Sequence, residues 1–232
     1  MLEAALEALV ARLTSADGGA DLERARRRFE ARVGPVGPGH APDEPLIRAF
    51  FDHYLCEHRS ADGSRPPARL LAEGLPEPVE REVARACAHA ARSLYRVATE
   101  AGAADAGVLE DLLGGGRFRV APQGVAERLR AGDIFDGRLL YVSGEVRIAP
   151  GTIFHPRPAH SALEALVRPI DLDSFRDRHD VLDGLLRIRL RLEHFTSIRP
   201  RHLYRLDALA EESLESAGWA RAEASKRDEI DQ

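Results

Sequence analysis

Two side chains on one predicted helix have the types and the spacing of a metal site. Apolar residues recur at helical spacing from residue 45 to 58, and His53 and Glu57 stand four positions apart there. Residues four apart share a helical face, so both groups would point the same way. A transition metal needs a third ligand, for which His89 is available. We favour the alternative, a core-packing helix whose polar residues form its solvent-facing side, because such pairs are common by chance.

A second doublet, His179-Asp180, is typical of metal-dependent phosphohydrolases of the HD type. Such a site also needs a histidine from another helix and a later aspartate, for which His155 or His160 and Asp207 are available. The alternative is that Asp180 belongs to a group of aspartates at a helix N-terminus, where the macrodipole favours anions. We favour the alternative and expect no bound metal and no cofactor.

The sequence lacks the motifs of nucleophilic and nucleotide chemistry. It has no G-x-S-x-G elbow, no P-loop and no G-x-G-x-x-G that enters a helix. LLGGGRF, residues 112–118, has the glycines of a phosphate-binding loop but lacks the following Lys-Ser/Thr. It lies between two predicted strands and therefore predicts a hairpin turn. The residues favour binding over catalysis.

Arginines are concentrated near the C-terminus, with only one acidic residue among them. The six are Arg187, Arg189, Arg191, Arg199, Arg201 and Arg205. Residues 206–232 then carry eight acidic and three basic side chains. Two interpretations stay open. The acidic tail and the arginines neutralise each other within the fold, or the arginines dock an acidic protein partner.

A nucleic-acid-binding module that uses a barrel and these arginines is the alternative function, and a metal-dependent hydrolase is the third. The chain has 33 basic residues against 38 acidic ones, and Lys226 is its only lysine. Residues 93–157 carry eight arginines and eight acids. A neutral barrel gains little from counterion release. Its aromatic residues are Phe118, Phe135, Tyr141 and Phe154, no more than a small core needs.

The predicted secondary structure changes from helices to short strands near residue 93. Residues 1–92 show helical periodicity, and 93–157 contain five short runs separated by turn signals. The runs are SLYRVA, VLEDL, RFRVA, IFDGRLLYV and EVRIA. They predict a small five-stranded barrel of the OB or SH3-like type, in which Gly137 lets a strand bend at a corner. Residues 158–222 return to helix and 223–232 form a frayed polar tail, so the fold class is α+β.

The segment 181–195 has two competing periods. Alternate residues from 186 to 193 are apolar and charged, as in a strand. Val181, Leu185, Ile188, Leu192 and Phe195 nevertheless form a helical stripe, and leucine and arginine are good helix formers. We predict a helix.

The cysteines and the apolar runs bear on location. Cys56 and Cys87 are too few for a disulfide framework or a four-cysteine zinc site, and we expect them buried on helices in a reducing compartment. The N-terminus lacks the basic cluster of a signal peptide, and no apolar run approaches the roughly 20 residues that span a bilayer. We expect a cytoplasmic protein without membrane contact.

The order of the segments resembles a group of uncharacterised bacterial proteins, mostly from myxobacteria and their relatives. The shared segments are FFDHYLCEHR, RSLYRV, LEDLLGGGRFRV, RAGDIFDGRL and FHP. The helix–barrel part is also similar to bacterial proteins that end in a SEC-C type zinc tail. No cysteine follows Cys87, so a metal role of that tail does not carry over. The resemblance implies a helix–barrel–helix fold and no established activity. The residues therefore predict a non-enzymatic interaction or adaptor protein.

Overall fold

The computed structural model describes residues 2–15, 19–34, 44–59, 65–102, 106–170, 175–194 and 199–205. The chain packs into two compact units, Met1–Arg27 with Val36–Phe154, and Arg28–Pro35 with His155–Gln232. The described residues form seven α-helices and a curled antiparallel sheet, so the predicted α+β class is confirmed. The region boundaries predicted at residues 92, 157 and 222 stay predictions.

Helices precede the sheet in the first unit. They are α1 (Leu2–Ser15), α2 (Gly19–Val33, whose last six residues belong to the second unit), α3 (Pro45–Cys56), α4 (Pro67–Gly74) and α5 (Pro78–His89). Three of them begin at a proline. Proline suits the first helical position because its fixed φ is helical and the missing N–H would have no partner there.

The five predicted runs each form a strand. The strands are β1 (Arg92–Thr99), β2 (Gly107–Asp111), β3 (Arg117–Val120), β4 (Ile134–Val142) and β5 (Glu145–Ile148), and a two-residue strand β6 (Ile153–Phe154) pairs with β4. The order is β3-β2-β1-β4-β5, and every pair is antiparallel. The N–H of Ala121, just after β3, donates to the carbonyl of Val146 on β5 at 2.9 Å. The two outer strands therefore approach each other, and the sheet curls into half a barrel.

The two faces of β4 serve two cores. Phe135 points into the half-barrel and packs with Tyr95 and with Val125 from a 3-10 turn at Gly124–Arg128. Leu140 points the other way and joins Leu55 and residues of α1, α4 and α5. Side chains alternate along a strand, so one nine-residue strand supplies both cores.

The segment around Gly137 agrees with a corner. Residues 134–138 of β4 pair with β1, whereas 139–142 pair with β5, so the strand changes its neighbour just after Gly137. A β-carbon at Gly137 would lie 3.1 Å from Oγ1 of Thr152. Before the strand, Gly132 has a φ of 81°, and the carboxylate of Asp133 accepts from the N–H of Arg130 at 2.8 Å.

The second unit contains the end of α2, α6 (His160–Val167) and α7 (Phe175–His194), with 3-10 turns at Arg157–Ala159 and Pro200–His202. The helix predicted at 181–195 is confirmed as far as His194; Phe195 lies outside the described residues. Leu182, Leu185, Leu186 and Ile188 are buried. The predicted stripe is partly wrong, because Val181 and Leu192 are only half-buried.

Among the described helices, none combines the length and the apolar character needed to cross a bilayer.

Candidate functional sites

His53 on α3 and Glu57, the residue directly after this helix, lie together, but the prediction that they form its solvent-facing side is wrong. His53 is 8% exposed, and its Nδ1 lies 2.9 Å from Oε2 of Glu57. The other carboxylate oxygen of Glu57 accepts a hydrogen bond from the guanidinium of Arg138 on β4. Arg138 has a side chain only 2% exposed. The polar side of α3 therefore packs on Arg138 of the sheet and is buried there.

Asp52 is a second buried carboxylate on the same helix. Its Oδ2 accepts a hydrogen bond from the N–H of Gly151 at 2.8 Å. Burial raises the pKa of Asp52 to about 6, against the attraction of Arg138 and the hydrogen bond from Gly151. A β-carbon at Gly151 would lie 2.6 Å from both Cα of Ala49 and the carbonyl of Arg48. The position requires glycine because the loop lies directly on the backbone of α3.

Arg92 and Asp136 complete this group of charges. Nε of Arg92 donates to Oδ1 of Asp136 at 2.8 Å, and its Nη2 donates to Oδ2, so the guanidinium holds both oxygens. Arg92 stands directly opposite Arg138 across the β1–β4 pair. Two adjacent buried arginines are stable here because each has its own carboxylate. We call Asp52, Glu57, Arg92, Asp136 and Arg138 the buried ionic cluster.

The side chains of the buried ionic cluster bind one another. Both oxygens of Glu57 and both oxygens of Asp136 accept hydrogen bonds from protein groups. Within the described residues, no group of three or more His, Cys, Asp and Glu side chains suits a metal ion. His89, nominated as a third ligand, lies exposed on α5. The buried ionic cluster fixes α3 on the sheet.

The two cysteines lie beside this cluster on α3 and α5, and both are buried, as predicted. A hydrogen bond with Cys87 and burial raise the pKa of the Cys56 thiol well above its usual range. Cys56 therefore stays a neutral thiol at physiological pH. A nucleophilic cysteine needs the opposite shift.

The residues of the second candidate metal site, which the sequence does not favour, have separate partners and surroundings. His179 is buried on α7 and its neighbour Asp180 is exposed. Nδ1 of His155 lies 2.8 Å from the hydroxyl of Tyr204. Nε2 of His160 lies 2.9 Å from the carbonyl of His155, and Asp207 lies outside the described residues.

The predicted arginine surface divides into two groups. Arg187 is half-buried and donates to the main-chain carbonyl of Arg32, so it joins α7 to the end of α2. Arg199 and Arg205 are exposed, and Arg189 and Arg191 are half-buried. The side chain of Arg201 lies outside the described residues.

The charge of Arg189 on α7 acts on Tyr204, which directly precedes Arg205. Burial raises the pKa of Tyr204, and the positive charge of Arg189 opposes that rise. One arginine of α7 therefore influences the segment that carries Arg199 and Arg205.

The four aromatic residues of the sheet divide in a similar way. Phe135 is fully buried, and Phe118 meets Tyr95 edge-on at a ring distance of 6.1 Å. Phe154 packs against Phe135 at 5.8 Å and remains partly exposed. Tyr141 is 67% exposed. The prediction that these aromatics only fill a core is therefore wrong for Tyr141 and, in part, for Phe154.

No family model, curated protein or solved structure matches this chain. A function has to be inferred from its own residues.

Proposed function

We propose that this protein is a non-enzymatic, cytoplasmic adaptor that docks an acidic protein partner on the arginine surface of its second unit. The observation that carries the proposal is the exposure of Arg199 and Arg205 on either side of Tyr204, on which the charge of Arg189 also acts. The guanidinium fork binds carboxylates with two parallel hydrogen bonds, so several exposed arginines favour an acidic protein surface.

Arg191, Arg199 and Arg205 are the docking residues of this proposal. Arg199 and Arg205 are exposed and Arg191 is half-exposed. Arg187 is left out because it holds α2 against α7. Its replacement would damage the fold and imitate a loss of binding.

A nucleic-acid-binding module is the second candidate, and exposed Tyr141 favours it. Nucleic-acid modules combine basic surfaces with aromatic side chains on which bases stack. The charges of the sheet are balanced, which favours a protein partner instead. The two functions differ in salt dependence, because binding to a nucleic acid releases counterions and weakens steeply with salt.

We also propose that the curled sheet belongs to the small barrels of the OB or SH3-like type, and that the chain is related to the helix–barrel–helix proteins that it resembles. The hydrogen bond between Ala121 and Val146, which draws the outer strands together, supports a small barrel. A crystal structure of the protein with its partner would test both points.

The experiment is affinity capture of the native partner by the full chain and by the Arg191→Glu/Arg199→Glu/Arg205→Glu variant. Arg27→Glu is the control for a single charge reversal, because it makes one of the same substitutions at an exposed helical position. Circular dichroism first establishes that both variants are folded. We expect the triple variant to lose an acidic partner that the wild type and Arg27→Glu retain.

Two results would contradict the proposal. A folded triple variant that captures every wild-type partner would place the docking surface elsewhere. Binding to an oligonucleotide that falls steeply with salt, without an acidic protein in the captured material, would instead support the nucleic-acid module.

A further inference from the structure

A groove runs between α4 and α5 in the first unit, where the two helices are joined by residues 75–77. Its volume is about 730 Å³, within the range of about 300–1,000 Å³ that is typical of small-ligand pockets. Ala88 supplies apolar surface, whereas Ala72 and Leu75 belong to the core beneath the groove and are almost fully buried. The basic residues that line it are Arg69, Arg81, Arg85 and His89.

The basic side chains of α5 stand in one row. Arg81, Arg85 and His89 are separated by four residues each, so they lie one above the other on one face of the helix. The row from Arg81 to His89 is about 12 Å long at 1.5 Å per residue. Arginines one turn apart repel each other and destabilise a helix. An anion in the groove would remove this repulsion.

Four carboxylates lie near the groove in the sequence, and one of them, Glu73, lines it. Glu73 is bonded to Arg65 at 2.7 Å, Glu80 to Arg12 at 3.1 Å and Glu82 to the hydroxyl of Ser143 at 3.2 Å. The fourth, Glu77, is exposed in the connection between α4 and α5. Among the described residues, no carboxylate forms an ion pair with Arg69, Arg81, Arg85 or His89. The three arginines that line the groove outnumber its one lining carboxylate, Glu73, so the groove keeps an excess of positive charge.

Arg81 is already held in place. Its Nε donates to the carbonyl of Leu75 at 3.0 Å and its Nη2 to the carbonyl of Pro76 at 2.8 Å. These acceptors are uncharged, so the positive charge stays available to a ligand. A side chain that is ordered before binding loses less conformational entropy when the ligand arrives.

We propose that this groove binds a small organic polyphosphate with the size and charge of a nucleoside triphosphate. One phosphate group is too short to reach both ends of a row about 12 Å long, so a ligand that engages the row carries several linked phosphates. The guanidinium groups bind the phosphate oxygens in forked pairs. Ala88 and the aliphatic parts of the arginine side chains contact the organic part. This site is independent of the arginine surface proposed for the acidic partner.

Isothermal titration calorimetry on the full chain tests the site, with divalent cations absent. The probes are adenosine triphosphate, inorganic tripolyphosphate, inorganic phosphate and a short single-stranded oligonucleotide. We expect adenosine triphosphate to bind most tightly, tripolyphosphate more weakly and inorganic phosphate least. Arg85→Glu should weaken binding of adenosine triphosphate by about tenfold or more, which corresponds to the loss of one charge-assisted contact.

Arg27→Glu is the matched control, since Arg27 is exposed on a helix of the same unit but outside the groove. It should leave the affinity within about twofold. Three outcomes would overturn the proposal: no binding of adenosine triphosphate by the wild type, equal affinities of the two variants, or inorganic phosphate bound as tightly as the triphosphate. Tighter binding of the oligonucleotide than of the triphosphate would also overturn it and assign the groove to a nucleic acid.

Discussion

Two buried arginines of the first unit differ in their surroundings from two exposed arginines of the second. In the first unit, Arg92 and Arg138 are buried on neighbouring strands, and each donates to a carboxylate. In the second unit, Arg199 and Arg205 are exposed at the end of the described chain. A buried charge must be paired to be tolerated, whereas an exposed charge is stabilised by water. Buried arginines therefore stabilise the fold, whereas exposed arginines are available to bind a partner.

The largest expected effect is the loss of Arg138. Arg138→Met keeps a long apolar side chain but leaves Glu57 and Asp52 without their buried positive charge. Breaking a buried ion pair on one side typically costs about 3–5 kcal/mol. Urea unfolding measures the change, with Arg85→Met as the exposed control, which should stay within about 0.5 kcal/mol. Equal effects of the two substitutions would remove the distinction between buried and exposed arginines.

Gly151→Ala should give the next largest loss of stability. The new methyl group would lie 2.6 Å from Cα of Ala49, and the loop would have to move away from Asp52. Overpacking of this kind costs about 1–3 kcal/mol. Gly74→Ala is the control, because a β-carbon there meets no atom within 4 Å. A melting temperature that falls equally in both variants would contradict the close packing of this loop on α3.

The stability should also depend on pH through Asp52. Its folded pKa of about 6 lies above the ordinary value of 3.8, so the folded state binds the proton more tightly than the unfolded state. The contribution of Asp52 to stability therefore increases as the pH falls from above 6 towards 4, by on the order of 2 kcal/mol. Arg138, Glu57 and Arg48 are the charged groups that act on it.

Asp52→Asn isolates this contribution, since asparagine can still accept the hydrogen bond from Gly151. We expect the unfolding free energy of the wild type, relative to Asp52→Asn, to rise between pH 7 and pH 4.5. A difference that stays constant over this range would show that Asp52 does not titrate there.

A smaller contrast is expected within the second unit. Arg187→Ala removes the hydrogen bond to the carbonyl of Arg32 and should cost about 1–2 kcal/mol, the usual value for a bond to a charged group. Arg199→Ala touches an exposed side chain and should change stability by less than about 0.5 kcal/mol. Guanidinium-induced unfolding of the two variants compares them directly. An Arg199→Ala variant that is the less stable of the two would reverse their assigned roles.

The strands and helices could be predicted from local sequence, but the buried ionic cluster could not. IFDGRLLYV is bounded by turn residues, and the strand covers the same nine residues. The role of Glu57 depends on Arg138, which is 81 positions away, and no local period records such a contact. The sequence of β4 contains one sign of these buried charges. Asp136 and Arg138 are the only charged residues of an otherwise apolar strand, and charged residues at buried positions are usually paired. The exposed position of Tyr141 likewise depends on where the curled sheet ends.

Site-specific crosslinking tests the proposed docking surface most directly. His202 is exposed between Arg199 and Arg205 and can be replaced by photoreactive benzoylphenylalanine, with the same replacement at Arg27 as the control. After irradiation in the native cell, we predict a covalent adduct with an acidic protein from position 202 and not from position 27. The adduct should disappear when Arg199→Glu and Arg205→Glu are added. No protein adduct at position 202, or an adduct that survives these charge reversals, would contradict docking of an acidic partner on the arginine surface.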